Sequence, residues 1–590
     1  MTWTTSILIL TLGATLCSCA ILESVADLNK LNLKFDFIVV GGGNAGNVVA
    51  NRLSENPEHS VLVLEAGGSN ANVLPIIVPF FSPRATPNTP QDWNYSTVPQ
   101  AALNHRSVDY PRGFVLGGSS SVNYLAYTRG TKEDYDRWAK VTGDDGWSWD
   151  KLVPYMKKNE HFVLPSDFHN ATKEFNPAVH GFTGINSVTL HNFATPIDSR
   201  IIETTTELAE YPFNLDMNSG NHLGIGWEQQ TVKDGSRSSS ATSYLAPQFV
   251  ARPNLNVLLN ARVTRVLPTT SNAFRTVEFV QDLNGEKYTI TAAKEVILSS
   301  GSVGTPNILL HSGIGNSSAL TSVGIKPLHN LPSVGQNMSD HPLLLLSFLV
   351  NSTDTWETAE RNTTLAAEQL AQWNATGTGP LGDSPLTHLG FFRIPDNSSI
   401  FKTFPDPAAG PNTAHFEFMF GNGKFRAPPA TGNFFSITPV VVSPSARGSV
   451  ILNSSDLFAD PVIDPNLLGD DLDFFIMREA LKSAFRFAAA PAWKDYIISP
   501  FGINSTATDA ELDEFIRENA GSIFHPVGTS KMSPKGATWG VVDPDLRVKG
   551  LSGLRVVDVS IAPLIPATHT QVSAYIIGER ASDIIKAAWN

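Results

Sequence analysis

The segment from Phe35 to Glu65 constrains this chain more than any other. Phe35-Asp36-Phe37-Ile38-Val39-Val40 is an apolar, β-branched run of the length expected for a buried parallel strand. Gly41-Gly42-Gly43-Asn44-Ala45-Gly46 follows at once, and Val48, Val49, Ala50 and Leu53 then recur with helical spacing. A second apolar strand from Ser60 to Leu64 ends on Glu65, 19 residues after Gly46. Gly41 permits the tight strand-to-helix turn, Gly43 lets the backbone approach a pyrophosphate, and Gly46 lets the helix pack closely on the strand. The helix N-terminus offers free N–H groups and the positive end of its dipole to phosphates. Glu65 is placed to accept hydrogen bonds from a ribose diol and would repel a 2′-phosphate, which argues against NADP. The pattern predicts a dinucleotide-binding unit, but it does not by itself separate FAD from NAD.

At 590 residues the chain is too long for one ordinary core, and a two-part body is expected. Its 44 Gly and 39 Pro predict many shaped loops of the kind cofactor enzymes use. A net charge of -13 gives an acidic surface that repels phosphate backbones, so no nucleic-acid partner is expected.

Residues 1–20 read as a secretory signal. Ile7 to Leu16 is an apolar run too short to span a bilayer, and Ser18-Cys19-Ala20 supplies small residues at the expected cleavage site. The expected location is extracellular, with no membrane association. Both cysteines, Cys17 and Cys19, fall in this segment, so the exported chain would hold no thiol and no disulfide. Ten Asn-x-Ser/Thr sites follow, at Asn94, Asn170, Asn316, Asn337, Asn351, Asn362, Asn374, Asn397, Asn453 and Asn504. Together with the signal they predict a glycosylated surface. Asn316 and Asn337 lie inside motifs and are the two candidates for burial.

Pro111 to Tyr124 is dense in glycine and serine between apolar residues, a loop whose backbone can lie flat against a planar or anionic ligand. Gly301 to Gly315 is a second such element after the strand Glu295-Val296-Ile297-Leu298. Its Thr305-Pro306 predicts a helix start and Ser312-Gly313 a stop. These two segments resemble the two signatures of the glucose–methanol–choline (GMC) flavoprotein oxidoreductases. The resemblance runs on through Val334 to His341, Phe524-His525-Pro526-Val527-Gly528-Thr529, Val542 to Val548, Val557-Asp558 and His569-Thr570-Gln571, and covers the whole expected mature chain. Within the family, Asn44 to Val49, Asp92-Trp93-Asn94-Tyr95, Phe404 to Asn412 and Phe524 to Val527 are most similar to fungal aryl-alcohol oxidases. Phe114 departs from the pattern, standing where the first signature usually has a basic residue.

The resemblance implies FAD and an α/β plus α+β architecture. A Rossmann-type FAD-binding domain would be interleaved with a substrate domain built on an antiparallel sheet with helices. The expected FAD-binding parts are 34–130, 225–345 and 520–590; the expected substrate parts are 140–224 and 346–519. It implies cofactor contacts at Gly41, Gly43, Asn44, Ala45, Gly46, Glu65, Ala66, Gly118, Ser119, Asn123, Val263, Asp558 and Thr570. It also implies a substrate pocket with Tyr124, Phe425 and Phe524, whose stacking would favour flat ligands.

His525 and His569 are placed by the resemblance in front of the flavin. Alcohol oxidation needs a base that is neutral near the working pH, and His is the natural choice. His525 is expected to be that base and His569 to hold the substrate oxygen. His180, His191, His222 and His415 are expected to have no such role, Ser119 to Ser121 lack a nucleophile context, and no metal is expected. The expected reaction takes a hydride and a proton from a small aromatic or allylic alcohol, with O2 reduced to peroxide, in a monomer. A quinone-dependent dehydrogenase, a hydroxynitrile lyase and a sugar oxidase of the same family remain open.

Overall fold

The computed structural model describes residues 21–589 apart from 271, 426 and 427. The expected signal segment and its cysteines lie outside the described residues. No helix among the described residues is long and apolar enough to cross a membrane.

Six strands form a parallel sheet in the order Ile21–Leu22, Leu255–Leu258, Val61–Leu64, Phe37–Val40, Glu295–Leu298, Leu554–Val556. The four central strands are buried along their whole length, which is why they read as apolar runs broken only at Asn256 and the leading Glu295. Helix Asn44–Leu53 packs on this sheet and against the C-terminal helix Gln571–Trp589. Gly578 lets the two helices approach, since a Cβ there would meet Val48 at 2.8 Å. Arg52 and Glu579 pair across the contact at 2.7 Å.

The second sheet has eight strands. Its path runs Ile497–Phe501, Leu346–Val350, Phe434–Val441, Phe416–Gly421, His388–Phe392, Gly224–Trp227, with Pro342–Leu344 and Ala520–Ser522 added beside Phe434–Val441. Every pairing is antiparallel. Side chains alternate across it. Phe416, Phe418 and Phe420 join an aromatic core under helix Asp471–Ala488, whereas Glu417 and Met419 point the other way. The expected division at 224/225 falls inside Gly224–Trp227, and Ala520–Ser522 belongs to this sheet. Ile21–Leu22 joins the parallel sheet ahead of the expected start at 34. Strand pairing, not sequence composition, sets these edges.

Helix Gly301–His311 begins four residues before the expected Thr305-Pro306 start. Pro306 has no N–H for the Ser302 carbonyl. The Thr529 hydroxyl donates to that carbonyl instead, at 2.8 Å, so the helix passes through the proline. Thr529→Val leaves a buried carbonyl without its donor and is expected to cost about 1–3 kcal/mol. A lowered melting temperature of the purified holoprotein checks this. Asn316 is exposed, contrary to expectation, because its side chain caps helix Ser317–Ser322 by accepting from Ala319 N–H; Asn337 is half-buried.

Candidate active site

A cavity of about 770 Å³ runs from the carboxyl ends of the parallel strands, at Val40 and Leu64, to the antiparallel sheet, at Leu343, Met419 and Thr438. Every residue expected at the cofactor and substrate sites lines it except Gly46. Gly46 sits behind the wall, where a Cβ would overlap the Gly41 carbonyl.

The nucleotide end is built from backbone. Helix Asn44–Leu53 has no side-chain cap, and Asn44 and Ala45 face the cavity, so first-turn N–H groups are available to an anion. A Cβ on Gly43 would meet only Gly118, at 3.9 Å, so the main chain there is open to a ligand. Glu65 accepts from Gly42 N–H at 2.8 Å and Gly67 N–H at 2.7 Å. Burial pushes its carboxyl up to about 7 against those bonds, and a ribose diol would add the donors that favour its charge. Two more helix starts reach the cavity. Asp558 accepts from Gly301 N–H and from the Thr305 hydroxyl at the first, and Thr570 precedes Gln571–Trp589 at the second. These features fit FAD.

Asn123 bridges the two ends. Its amide donates to Gln571 at 3.1 Å, and its oxygen accepts from Arg237 at 2.7 Å. Arg237 is buried among neutral acceptors, and that burial lowers it to about 9. Ser120 and Ser121 spend their hydroxyls on the carbonyls of Gly117 and Leu116, and Ser119 accepts from Gly113 N–H; all three shape the turn.

At the chemical end the His525 and His569 rings stand edge to face, centroids 5.0 Å apart. Phe524, just before His525, has φ 65°, a left-handed conformation unusual for an aromatic residue. Arg112 donates to its carbonyl at 2.6 Å and Ser522 Oγ accepts its N–H at 2.6 Å, which holds the turn that carries His525. Asp340 accepts the His525 N–H at 2.8 Å. The expected mutual stacking of pocket aromatics gives way to other pairs: Phe425 meets Trp356 at 5.0 Å and Phe524 meets Tyr110 at 6.3 Å. Loop and strand positions, rather than ring affinity, decide these partners. Leu343, Leu345, Pro385, Leu386 and Met419 complete an apolar wall.

The two histidines differ in charge preference. Burial, reinforced by the neighbouring His569, His341 and Arg112, holds His525 well below the usual histidine range. Burial also disfavours charge on His569, but Glu417 outweighs it and raises His569 above its ordinary value. His569 Nε2 and Glu417 Oε1 are 2.9 Å apart. A neutral His525 therefore faces a His569 that favours the cation. A raised histidine contributes stability at low pH that is lost as pH climbs from about 6.5 through the folded value. Glu417→Gln removes the cause. It is expected to move the alkaline limb of the kcat/KM profile down by about 1–3 pH units, measured from pH 5 to 10.

Glu417, His341, Trp356 and Arg237 were not among the expected site residues. Glu417 carried a signal, as the one acid in the otherwise apolar strand Phe416–Gly421; His341 stood inside a motif without an assigned role; Trp356 and Arg237 had no local signal. His180, His191, His222 and His415 are buried and bonded to Glu160 and Asp216, Glu228, Ala414 N–H and Asp406 respectively.

Two family models, both described as GMC oxidoreductase, match residues 35–343 and 444–578. A dehydrogenase, eriK, from Hericium erinaceus is 41% identical over 95% of this chain and 96% of its own length. A pyranose dehydrogenase from Agaricus campestris is 42% identical over 95% of this chain and 94% of its own. Among solved structures, a variant of the Aspergillus oryzae formate oxidase has TM-score 0.87 at 29% identity, covering 94% of this chain and 98% of that one. A fungal aryl-alcohol oxidase has TM-score 0.81 at 25% identity, covering 94% and 99%.

Proposed function

This chain belongs to the GMC oxidoreductase family, and from that premise we propose that it is a dehydrogenase of primary alcohols with a flat, apolar body, passing electrons to an organic acceptor of quinone type. As a family member it is an oxidoreductase of CH–OH donors and binds FAD. The observation that carries the substrate reading is the His525–His569 pair at the apolar-walled end of the same cavity that holds the nucleotide cradle. FAD, when bound, supplies the acceptor for the substrate's hydride.

The protein's own part is proton handling and placement. His525, neutral because of burial and neighbouring positive charge, takes the hydroxyl proton. His569, backed by Glu417, donates to the same oxygen and stabilises negative charge developing there. Leu343, Leu386, Met419 and Phe425 exclude water and press an apolar body flat.

The names of two relatives at 41–42% identity support a dehydrogenase over the oxygen acceptor expected from sequence. The pyranose dehydrogenase supports a second substrate reading, a sugar hydroxyl. Anaerobic flavin reduction by benzyl-type alcohols, glucose and xylose, followed by reoxidation with benzoquinone or air, separates these. Faster reduction by the aromatic alcohol and faster reoxidation by the quinone are expected. Faster reduction by a pyranose replaces the first half of the proposal, and equal reoxidation by air replaces the second. We propose also that the chain is exported after cleavage near residue 20. Nine of its ten glycosylation sequons are exposed, which suits a secreted surface.

A further inference from the structure

His341 does not line the cavity, and it is completely buried. Its Nδ1 lies 3.0 Å from Nδ1 of His525. Two neutral imidazoles in that contact share one proton, so one Nδ1 donates and the other accepts. If His341 donates, His525 carries its own hydrogen on Nε2 and has no lone pair left for a substrate. If His525 donates, His341 carries its hydrogen on Nε2 and the His525 Nε2 lone pair is free.

The surroundings of His341 choose between these. Among the described residues its Nε2 is buried without a hydrogen-bond partner, and the main-chain carbonyl of Val442 acts on the ring. A carbonyl attracts an N–H and repels a lone pair. Burial holds His341 neutral, near 3, so it does not compete as a cation. Asp340, which could have served as a carboxylate partner for a ring, is committed to the main-chain N–H groups of His341 and His525 and to the hydroxyls of Tyr110 and Ser522. The other charged or titratable neighbours of His525 are His569 and Arg112. His525 lines the cavity, and its Nε2 lies on the ring edge away from buried His341.

We infer that His341 is a positioning residue that accepts from His525 Nδ1–H and so fixes His525 in the tautomer whose Nε2 lone pair receives the substrate proton. This rests on the reading of His525 as the base. A carboxylate in this position would raise the base's proton affinity; a neutral imidazole fixes the tautomer and leaves that affinity low. After proton transfer His525 keeps its Nδ1–H on His341, so no second proton has to move.

The test uses holoenzyme labelled with ¹⁵N-histidine, with His525 signals identified by their loss in His525→Asn. The expected result at neutral pH is a protonated Nδ1 and a bare Nε2 on His525, and the reverse on His341. A protonated Nε2 on neutral His525 overturns the inference. Anaerobic flavin reduction adds a second readout. His341→Leu, which offers no acceptor, is expected to slow the reduction step by about 10²-fold, with substrate dissociation constant and FAD content unchanged. His341→Gln, whose amide oxygen can accept, is expected to stay within about tenfold of wild type. Wild-type rates in His341→Leu overturn the inference, as does equal loss in both variants. If His341→Leu does not fold, the spectrum of the wild type decides. If no alcohol reduces wild-type flavin, the functional reading fails, and the tautomer measurement still stands by itself.

Discussion

Replacing His525 by Asn is expected to slow reduction of the bound flavin by a saturating alcohol about 10²–10⁴-fold, the range for loss of a general base. Asn can hold an oxygen but cannot take a proton. The structure adds a reason beyond the resemblance that assigned the two roles. Glu417 pushes His569 towards the protonated state, which leaves its lone pair less available than that of His525. The positive charge that makes His525 a weak base at rest also lowers the proton affinity of the substrate oxygen, so the gap between donor and acceptor narrows. His569→Asn should keep substantially more activity, since an amide can still donate to the oxygen. The two losses should not add, because both residues act on one atom. Stopped-flow measurement at the flavin absorption band decides. Wild-type reduction in His525→Asn with a deficit in His569→Asn reverses the roles; wild-type rates in both remove the pair from the chemistry.

Gly46→Ala is expected to yield protein that has lost most of its FAD. The added Cβ would overlap the Gly41 carbonyl and press on Ser299 Cβ at 3.1 Å, and the obstruction is main chain, which cannot swing aside. Helix Asn44–Leu53 must then lift from the parallel sheet, carrying with it the N–H groups at Asn44 and Ala45 that face the cavity. Overpacking of this kind costs about 1–3 kcal/mol in the fold. The larger loss falls on the cofactor, since a shifted anion cradle no longer meets the pyrophosphate. The readout is flavin absorbance per protein after gel filtration, beside far-ultraviolet circular dichroism. A yellow variant with wild-type FAD content would show that the seam tolerates the methyl group and that the close approach is not what binds the nucleotide.

The antiparallel sheet shows where sequence reading stopped. Phe416-Glu417-Phe418-Met419-Phe420 alternates with period two, so an aromatic face and an opposite face were legible in principle. That the opposite face meets His569, 152 residues away, was not. Likewise Thr305-Pro306 read locally as a helix start, because Pro is favoured in a first turn. The hydroxyl that lets the helix run through it comes from Thr529, more than two hundred residues later. The expected stacking of Phe425 with Phe524 failed for the same kind of reason: each ring meets a residue brought in by another loop.

The family and the two facing histidines came by resemblance; sequence by itself determined the parallel strands, the glycine turn and the acid at the second strand end. Those features answer to short-range demands: steric limits on φ, side-chain periodicity, and N–H groups left free at a helix start. Tertiary structure alone decided which histidine is neutral, which is held towards the cation, and which buried imidazole stands behind the base. His341, Glu417, His525 and His569 lie on segments far apart in the chain. Their protonation preferences come from burial and from charges a few ångströms away, quantities that exist only once the sheets have packed.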